Sequence, residues 1–121
     1  QREACAAYIA SQVSEGWRVP ITNEYYLTEF VKRLNLSVIL VVGIRLGCIN
    51  HAILTAEAIR ADGLNLHGWV SNHLDSVYSY GEETVKTLKK TLNCRHIADF
   101  SCCSDFDPEK LADHIDSAII P

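Results

Sequence analysis

The chain has little of several things, and each shortage excludes something. It holds no methionine and only three prolines and six glycines in 121 residues, with no internal repeat and no low-complexity stretch. Basic side chains do not exceed acidic ones: 11 against 15, a formal net charge of −4. That balance leaves no basic footprint and argues against nucleic acid as the main partner. No apolar run reaches the roughly 18–20 residues that cross a bilayer. The start at Gln1 shows no basic, apolar and small-residue regions of a signal peptide, and with no methionine anywhere it suggests a processed or partial polypeptide. Five cysteines, at 5, 48, 94, 102 and 103, are an odd number whose spacing fits neither zinc nor a redox C-x-x-C. They read as reduced cytoplasmic thiols. The five histidines show no ligand spacing.

What is present suits one modest α/β domain over residues 1–121. Hydrophobic residues make up 48% and charged ones 21%, so a core is possible. The strongest strand spans residues 37–43, apolar on both faces, as expected of a central parallel strand. A turn through Gly47 leads into a helix over residues 48–62. Leu54, Ala58 and Ala61 mark its expected apolar face, with Gly63 as the stop. Further strands are expected at 65–71, where Asn72 ends the run, and at 95–100. A helix over 81–92 has an acidic start (Glu82, Glu83) and a basic end, which suits the helix dipole. Earlier, Thr22 or Asn23 caps a helix running to Leu34 with Leu27, Phe30, Val31 and Leu34 on its apolar face. Later, Asp107 and Pro108 open a helix with Leu111, Ile115, Ala118 and Ile119 inward. Residues 1–13 suit a helix or a strand equally. Alternation of this kind implies right-handed βαβ units and a mainly parallel sheet flanked by helices, a three-layer α/β/α architecture.

Gly47-Cys48-Ile49-Asn50 therefore lies where a strand turns into a helix. The first N–H groups of a helix lack intrahelical partners, and the dipole adds partial positive charge there. A carboxylate or phosphate is the natural guest. The plainer alternative is an ordinary turn with a corner glycine.

The stretch Val41-Val42-Gly43-Ile44-Arg45-Leu46-Gly47-Cys48-Ile49-Asn50-His51-Ala52-Ile53-Leu54-Thr55-Ala56, with Gly68-Trp69-Val70-Ser71-Asn72 after it, resembles dethiobiotin synthetase. That enzyme is the ATP- and Mg²⁺-dependent ligase that carboxylates 7,8-diaminononanoate and closes the ring in biotin synthesis. The resemblance covers about two thirds of the chain and only the C-terminal half of such an enzyme. It implies a partial P-loop-type α/β fold in a cytoplasmic homodimer, paired through the helix that starts at Cys48. It also implies that Gly47, Cys48, Ile49 and Asn50 receive the substrate carboxylate, that Asn72 reads the adenine edge of ATP, and that Glu15 holds Mg²⁺.

The chain departs from the family in several places. No window fits the phosphate-cradling G-x-x-x-x-G-K-[ST] loop, and the catalytic lysines belong to the half that is not matched. Glu15-Gly16 runs straight into Trp17. Thr84 stands where a tyrosine that binds the substrate carboxylate is usual, with Tyr78 and Tyr80 nearby as substitutes. Ser101-Cys102-Cys103-Ser104 replaces a proline-containing segment. No catalytic residue is assigned. The alternative to an enzyme portion is a non-catalytic binding or regulatory module descended from that enzyme.

Overall fold

Short aliphatic runs form three strands, β1 (Val38–Ile44), β2 (Leu66–His73) and β3 (Arg95–Phe100), in the computed structural model, which describes residues 16–102 and 107–115. They pair in the order β1-β2-β3, and both pairings are parallel. Parallel neighbours need a crossover, and helices supply both: α2 (Cys48–Ala61) between β1 and β2, α3 (Gly81–Thr91) between β2 and β3. α1 (Leu27–Leu34) comes before the sheet and α4 (Pro108–Ala112) after it. The chain is thus the expected α/β alternation, a parallel sheet flanked by helices.

Alternation along the strands sets the core. Leu40, Val42 and Ile44 share a face with their β2 partners Trp69, Ser71 and His73. The apolar members meet Ala52, Ala56 and Ile59 of α2 and Val85 and Leu88 of α3 in one buried cluster. The small Ala52 and Ala56 let α2 lie close to the sheet. Burying each larger side chain contributes about 1.5–3 kcal/mol.

The structure corrects several expectations. β1 is an edge strand among the described residues, and β2 is the central one. Val41, on the opposite face, is 54% exposed. Buried Val38, Leu40 and Val42 gave β1 its continuous apolar look, although only one of its faces is covered. α2 has the expected bounds, and Gly63 stops it at φ +78°. Its buried face is Cys48, Ala52, Ala56 and Ile59, whereas Leu54 is 56% exposed and Ala61 is exposed as well. α1 starts at Leu27 after Tyr26, with no side-chain cap. Thr22 instead accepts hydrogen bonds from the N–H groups of Glu24 and Tyr25, which closes a local turn and delays the helix. Leu27 and Val31 are buried as expected, but Phe30 is 39% exposed. β2 runs on through Asn72 to His73.

Other expectations hold. β3 and α3 fall where the pattern places them, and Asp107 caps α4 by accepting from the N–H groups of Glu109 and Lys110. α4 ends at Ala112, however, so of its expected inward face only Leu111 lies on the helix, half-buried, and Ile115 falls past its end. The alternatives for residues 1–13, the site residue Glu15 and the inward Ala118 and Ile119 lie outside the described residues.

The segment after Gly16 is tied to the end of α2. Trp17 donates its indole N–H to Asp62 at 2.7 Å, and Arg18 pairs with the same carboxylate at 2.9 Å. Thr28 donates to the carbonyl of Trp17 at 2.7 Å. Burial alone would raise the Asp62 carboxyl, but the Trp17 and Arg18 hydrogen bonds and nearby cations hold it below the ordinary value.

Candidate functional site

The turn from β1 into α2 is built by Gly47, whose φ of +89° is left-handed backbone that side chains rarely adopt. The helix that follows has 14 residues, no side-chain cap and no acidic residue in its first turn. Nothing of its own neutralises the positive end of its dipole. The Cys48 N–H is already used, donating to the Arg45 carbonyl at 3.1 Å, and the His51 N–H donates to Gly47 at 3.4 Å. The N–H groups between them, on Ile49 and Asn50, are the ones a helix leaves open at its start.

Asn72 lies at the same carboxyl edge of the sheet, paired in register with Gly43 and Phe100. Beside it Leu74 presses on β1: a Cβ on Gly43 would stand 2.8 Å from the Leu74 Cδ1. A groove with a volume of about 670 Å³ opens here, and Arg45, Cys48, His51, Thr55, Asn72 and Leu74 are among its lining residues. Of the residues singled out in sequence, Cys48 and Asn72 therefore share one groove. Gly47 and Asn50 are exposed at the helix start, and Ile49 is half-buried.

Arg45 and His51 were not singled out from the sequence. A cation two residues before a helix-opening glycine is the signal that would have found Arg45, since it adds charge where the dipole already favours an anion. Among the described residues no group of three or more His, Cys, Asp or Glu can hold a metal ion. Glu15, the carboxylate singled out for Mg²⁺, lies outside those residues, and no chemical step is routed through a metal.

Tyr78 and Tyr80, the tyrosines near Thr84, are placed differently. The Tyr78 hydroxyl hydrogen-bonds the buried Thr84 at 3.1 Å, while Tyr80 is 69% exposed. In the segment after β3, the Cys102 thiol meets the Leu74 carbonyl at 3.6 Å.

A second polar cluster joins β2 and β3. Ser71, fully buried, hydrogen-bonds the His96 Nε2 at 2.8 Å and donates to the Asp99 carboxylate. His73 Nε2 meets the same carboxylate at 2.8 Å. A register shift in β3 makes this possible: Trp69 pairs with His96 and Ser71 with Asp99, which leaves Ile97 over as an extra residue. The extra residue turns both polar side chains to one face.

A carboxylate only accepts, so the single Ser71 proton goes to Asp99, and His96 donates from Nε2 to the Ser71 oxygen. The order is Asp–Ser–His, with no base placed to activate the hydroxyl, so the cluster is not a nucleophilic triad. Burial, with the Lys89 charge, pushes His96 below its ordinary value, which keeps it neutral against the Trp69 ring at 4.2 Å. Burial would raise the Asp99 carboxyl, but the hydrogen bonds from Ser71 and His73, with the two imidazoles close by, hold it low.

A three-stranded parallel sheet with helical crossovers, and with a helix start and a groove at its carboxyl edge, makes this an α/β domain. The chain belongs to the AAA domain family, whose pattern matches residues 13–110. Its relatives include the ATP-dependent dethiobiotin synthetase BioD of Pseudomonas paraeruginosa, 46% identical over 101 residues, which are 84% of this chain and 44% of that one. The protein of the same name from Photobacterium profundum is 53% identical over 77 residues, 64% of this chain and 35% of its own. That from Alteromonas mediterranea is 46% identical over 99 residues, 74% and 42%. The resemblance seen in residues 41–72 holds, and the chain spans less than half the length of the curated relatives it matches.

Proposed function

We propose that this chain provides the substrate-carboxylate end, and an adenine contact, of an ATP-dependent dethiobiotin synthetase, a ligase of biotin synthesis. One observation carries the reading: the uncapped, acid-free start of α2 opens from a left-handed Gly47 beside Arg45, in a chain whose relatives bear that enzyme's name. In this reading the carboxylate of 7,8-diaminononanoate lies against the Ile49 and Asn50 N–H groups, and Gly47 and Cys48 form the turn that leaves room for it. Asn72 offers the donor and acceptor of its amide to the adenine edge of ATP. Glu15 supplies a carboxylate for Mg²⁺, which takes one or two such groups along with phosphates; the adjacent Gly16 lines the groove. The protein is cytoplasmic, in keeping with free thiols at Cys48, Cys94 and Cys102, and forms a homodimer through α2. Neither nucleic acid nor a membrane is its partner. Among the described residues no helix is long and apolar enough to cross one.

The chain by itself contains no G-x-x-x-x-G-K-[ST] window, and phosphoryl chemistry depends on holding and neutralising the phosphates. We therefore expect it to bind without turning over. The second reading is a non-catalytic binding module descended from that enzyme. Calorimetry with 7,8-diaminononanoate and with ATP, on a preparation whose intact mass is that of this chain, tests both. Diaminononanoate is expected to bind. Binding of neither ligand overturns both readings, and tight ATP binding contradicts the expectation for the phosphates. In Asn50→Asp a carboxylate faces the guest's carboxylate, and like charges repel. Affinity for diaminononanoate should fall about tenfold, about 1.4 kcal/mol; unchanged affinity returns the stretch to an ordinary turn.

A further inference from the structure

Among the described residues, Asn72 is the last residue of β2 with a strand partner on both sides, Gly43 and Phe100. His73 pairs only with Ile44, and β3 ends at Phe100. Gly43 offers no side chain to pack against its partner. Strand ends, with few contacts beyond them, are where a sheet opens first. A side chain that reads a ligand there needs support beyond the ladder. The support lies on the other face of the sheet. Successive side chains alternate, so Ser71 and His73 share one face and Asn72 takes the other, where it lines the groove. Ser71 and His73 both reach the same atom, Oδ1 of Asp99. Ser71 is fully buried and gives that oxygen its only proton. His73 Nε2 lies 2.8 Å from it. An ionised carboxylate only accepts, so His73 donates from Nε2. The far side of the His73 ring is seated as well: a Cβ on Gly81, the first residue of α3, would stand 3.1 Å from Nδ1. One carboxylate on β3 thus grips the residues before and after Asn72.

Joining β2 to β3 does not by itself call for this arrangement. Ser71 alone serves that end, since it bonds both His96 and Asp99 and meets the Ala98 carbonyl at 3.3 Å. The His73 arm lies beyond the last β2–β3 pair, where no ladder is left to reinforce. What it does secure is the backbone of the residue between the two arms. We propose that Asp99 is a positioning residue: by holding Ser71 and His73 it aims the Asn72 amide into the groove, at the edge of a purine. The proposal rests on the reading of Asn72 as an adenine contact and adds what keeps that contact in place. An amide that reads a purine through one donor and one acceptor tolerates little rotation, because hydrogen bonds weaken steeply off line.

Adenosine, which carries the base without phosphates, is the probe. It is titrated into the isotope-labelled chain and followed by NMR well below the melting temperature. In the wild type the Asn72 side-chain amide should shift on titration, and the Asn72 backbone should show the rigid order parameter of about 0.85. Asp99→Ala opens no core cavity, since that side chain is 53% exposed, and the Ser71 hydroxyl keeps the Ala98 carbonyl as acceptor. It should lower the Asn72 order parameter toward about 0.6 and leave that of mid-strand Trp69 as it was. Adenosine should bind it about tenfold more weakly, the worth of one hydrogen bond. His73→Ala, which leaves the Ser71 bond in place, should shift both readouts in the same direction. Asp99→Asn keeps an oxygen that can accept from both neighbours and should restore order and affinity together. Equal adenosine affinity in wild type and Asp99→Ala, or equal order at Asn72, overturns the brace and leaves the adenine contact standing. A loss that Asp99→Asn does not restore assigns the effect to charge and overturns positioning. Adenosine that leaves wild-type Asn72 unmoved, or binds Asn72→Ala as tightly as wild type, overturns the adenine contact itself and with it the purpose of the brace.

Discussion

Ser71 shows how one hydroxyl couples two strands, and how little of that is visible in sequence. Period-two spacing puts Trp69, Ser71 and His73 on one face of β2. It cannot show that His96 and Asp99, three apart in β3, share a face, because an unbulged strand would set them on opposite ones. The extra residue at Ile97 was not predictable from local pattern, and so the cluster was not found. Its chemistry fixes a pH dependence. The folded state holds His96 below the ordinary value of about 6.5, so the unfolded chain binds more protons below that pH and stability falls with acidity. Asp99 and Asp62, also held low, add a second loss as pH falls from about 3.8 through their folded values. Urea midpoints should therefore drop between pH 7 and pH 5, and His96→Gln should flatten that interval while leaving the lower one. A midpoint of the wild-type chain that stays level from pH 7 to pH 5 would show that His96 is not buried as a neutral ring. Ser71→Ala strands the His96 Nε2–H and should cost about 1–3 kcal/mol at neutral pH.

α2 was legible in its bounds and not in its orientation. Strand residues before it, Gly47 at its start and Gly63 at its end are local signals, and all held. Its sides are nearly all apolar or small, so several stripes look equally inward. The sheet selects Cys48, Ala52, Ala56 and Ile59 because two alanines permit the closest approach, and Leu54 is left outside. Thr22 is the converse case: a sound cap residue whose side chain found a nearer turn. The site follows the same division. The turn at residues 47–50 was legible because it depends on chain-local geometry. The shared groove of Cys48 and Asn72 depends on strand pairing, and Arg45 and His51 entered with it.

Two glycines separate backbone from packing effects in these elements. Gly47→Ala meets open space but keeps a left-handed φ, so it should cost about 1–2 kcal/mol. A Cβ at Gly68 would stand 2.7 Å from the Ile97 Cδ1 and 2.8 Å from the Arg95 carbonyl oxygen, crowding the β2–β3 pairing beside the bulge. Overpacking typically costs about 1–3 kcal/mol. Because backbone is among the crowded atoms, Gly68→Ala should also speed exchange of the β3 amides, which Gly47→Ala should not. Equal exchange in the two variants would show that β3 shifts to make room.

Across the molecule, three strands and the helices beside them leave much apolar surface unspent. Leu46, in the turn before α2, is 87% exposed, and Leu54, on the helix that was expected to pair with a second copy, is 56% exposed. An apolar side chain that the fold leaves in water adds nothing to the core, but it gains the transfer free energy when another surface covers it. α2 carries Glu57 and Arg60 on exposed positions as well, so a two-fold contact can bring opposite charges together around Leu54, as self-complementary interfaces do. The homodimer reading then has a direct consequence. Leu54→Glu sets two carboxylates against each other near the axis and should shift the chain from dimer to monomer in sedimentation at micromolar concentration. Its own melting curve at low concentration should not move, because Leu54 is absent from the core. If Leu54→Glu sediments as the wild type does, α2 is not where the copies meet, and its start is left free to take its anion within one chain.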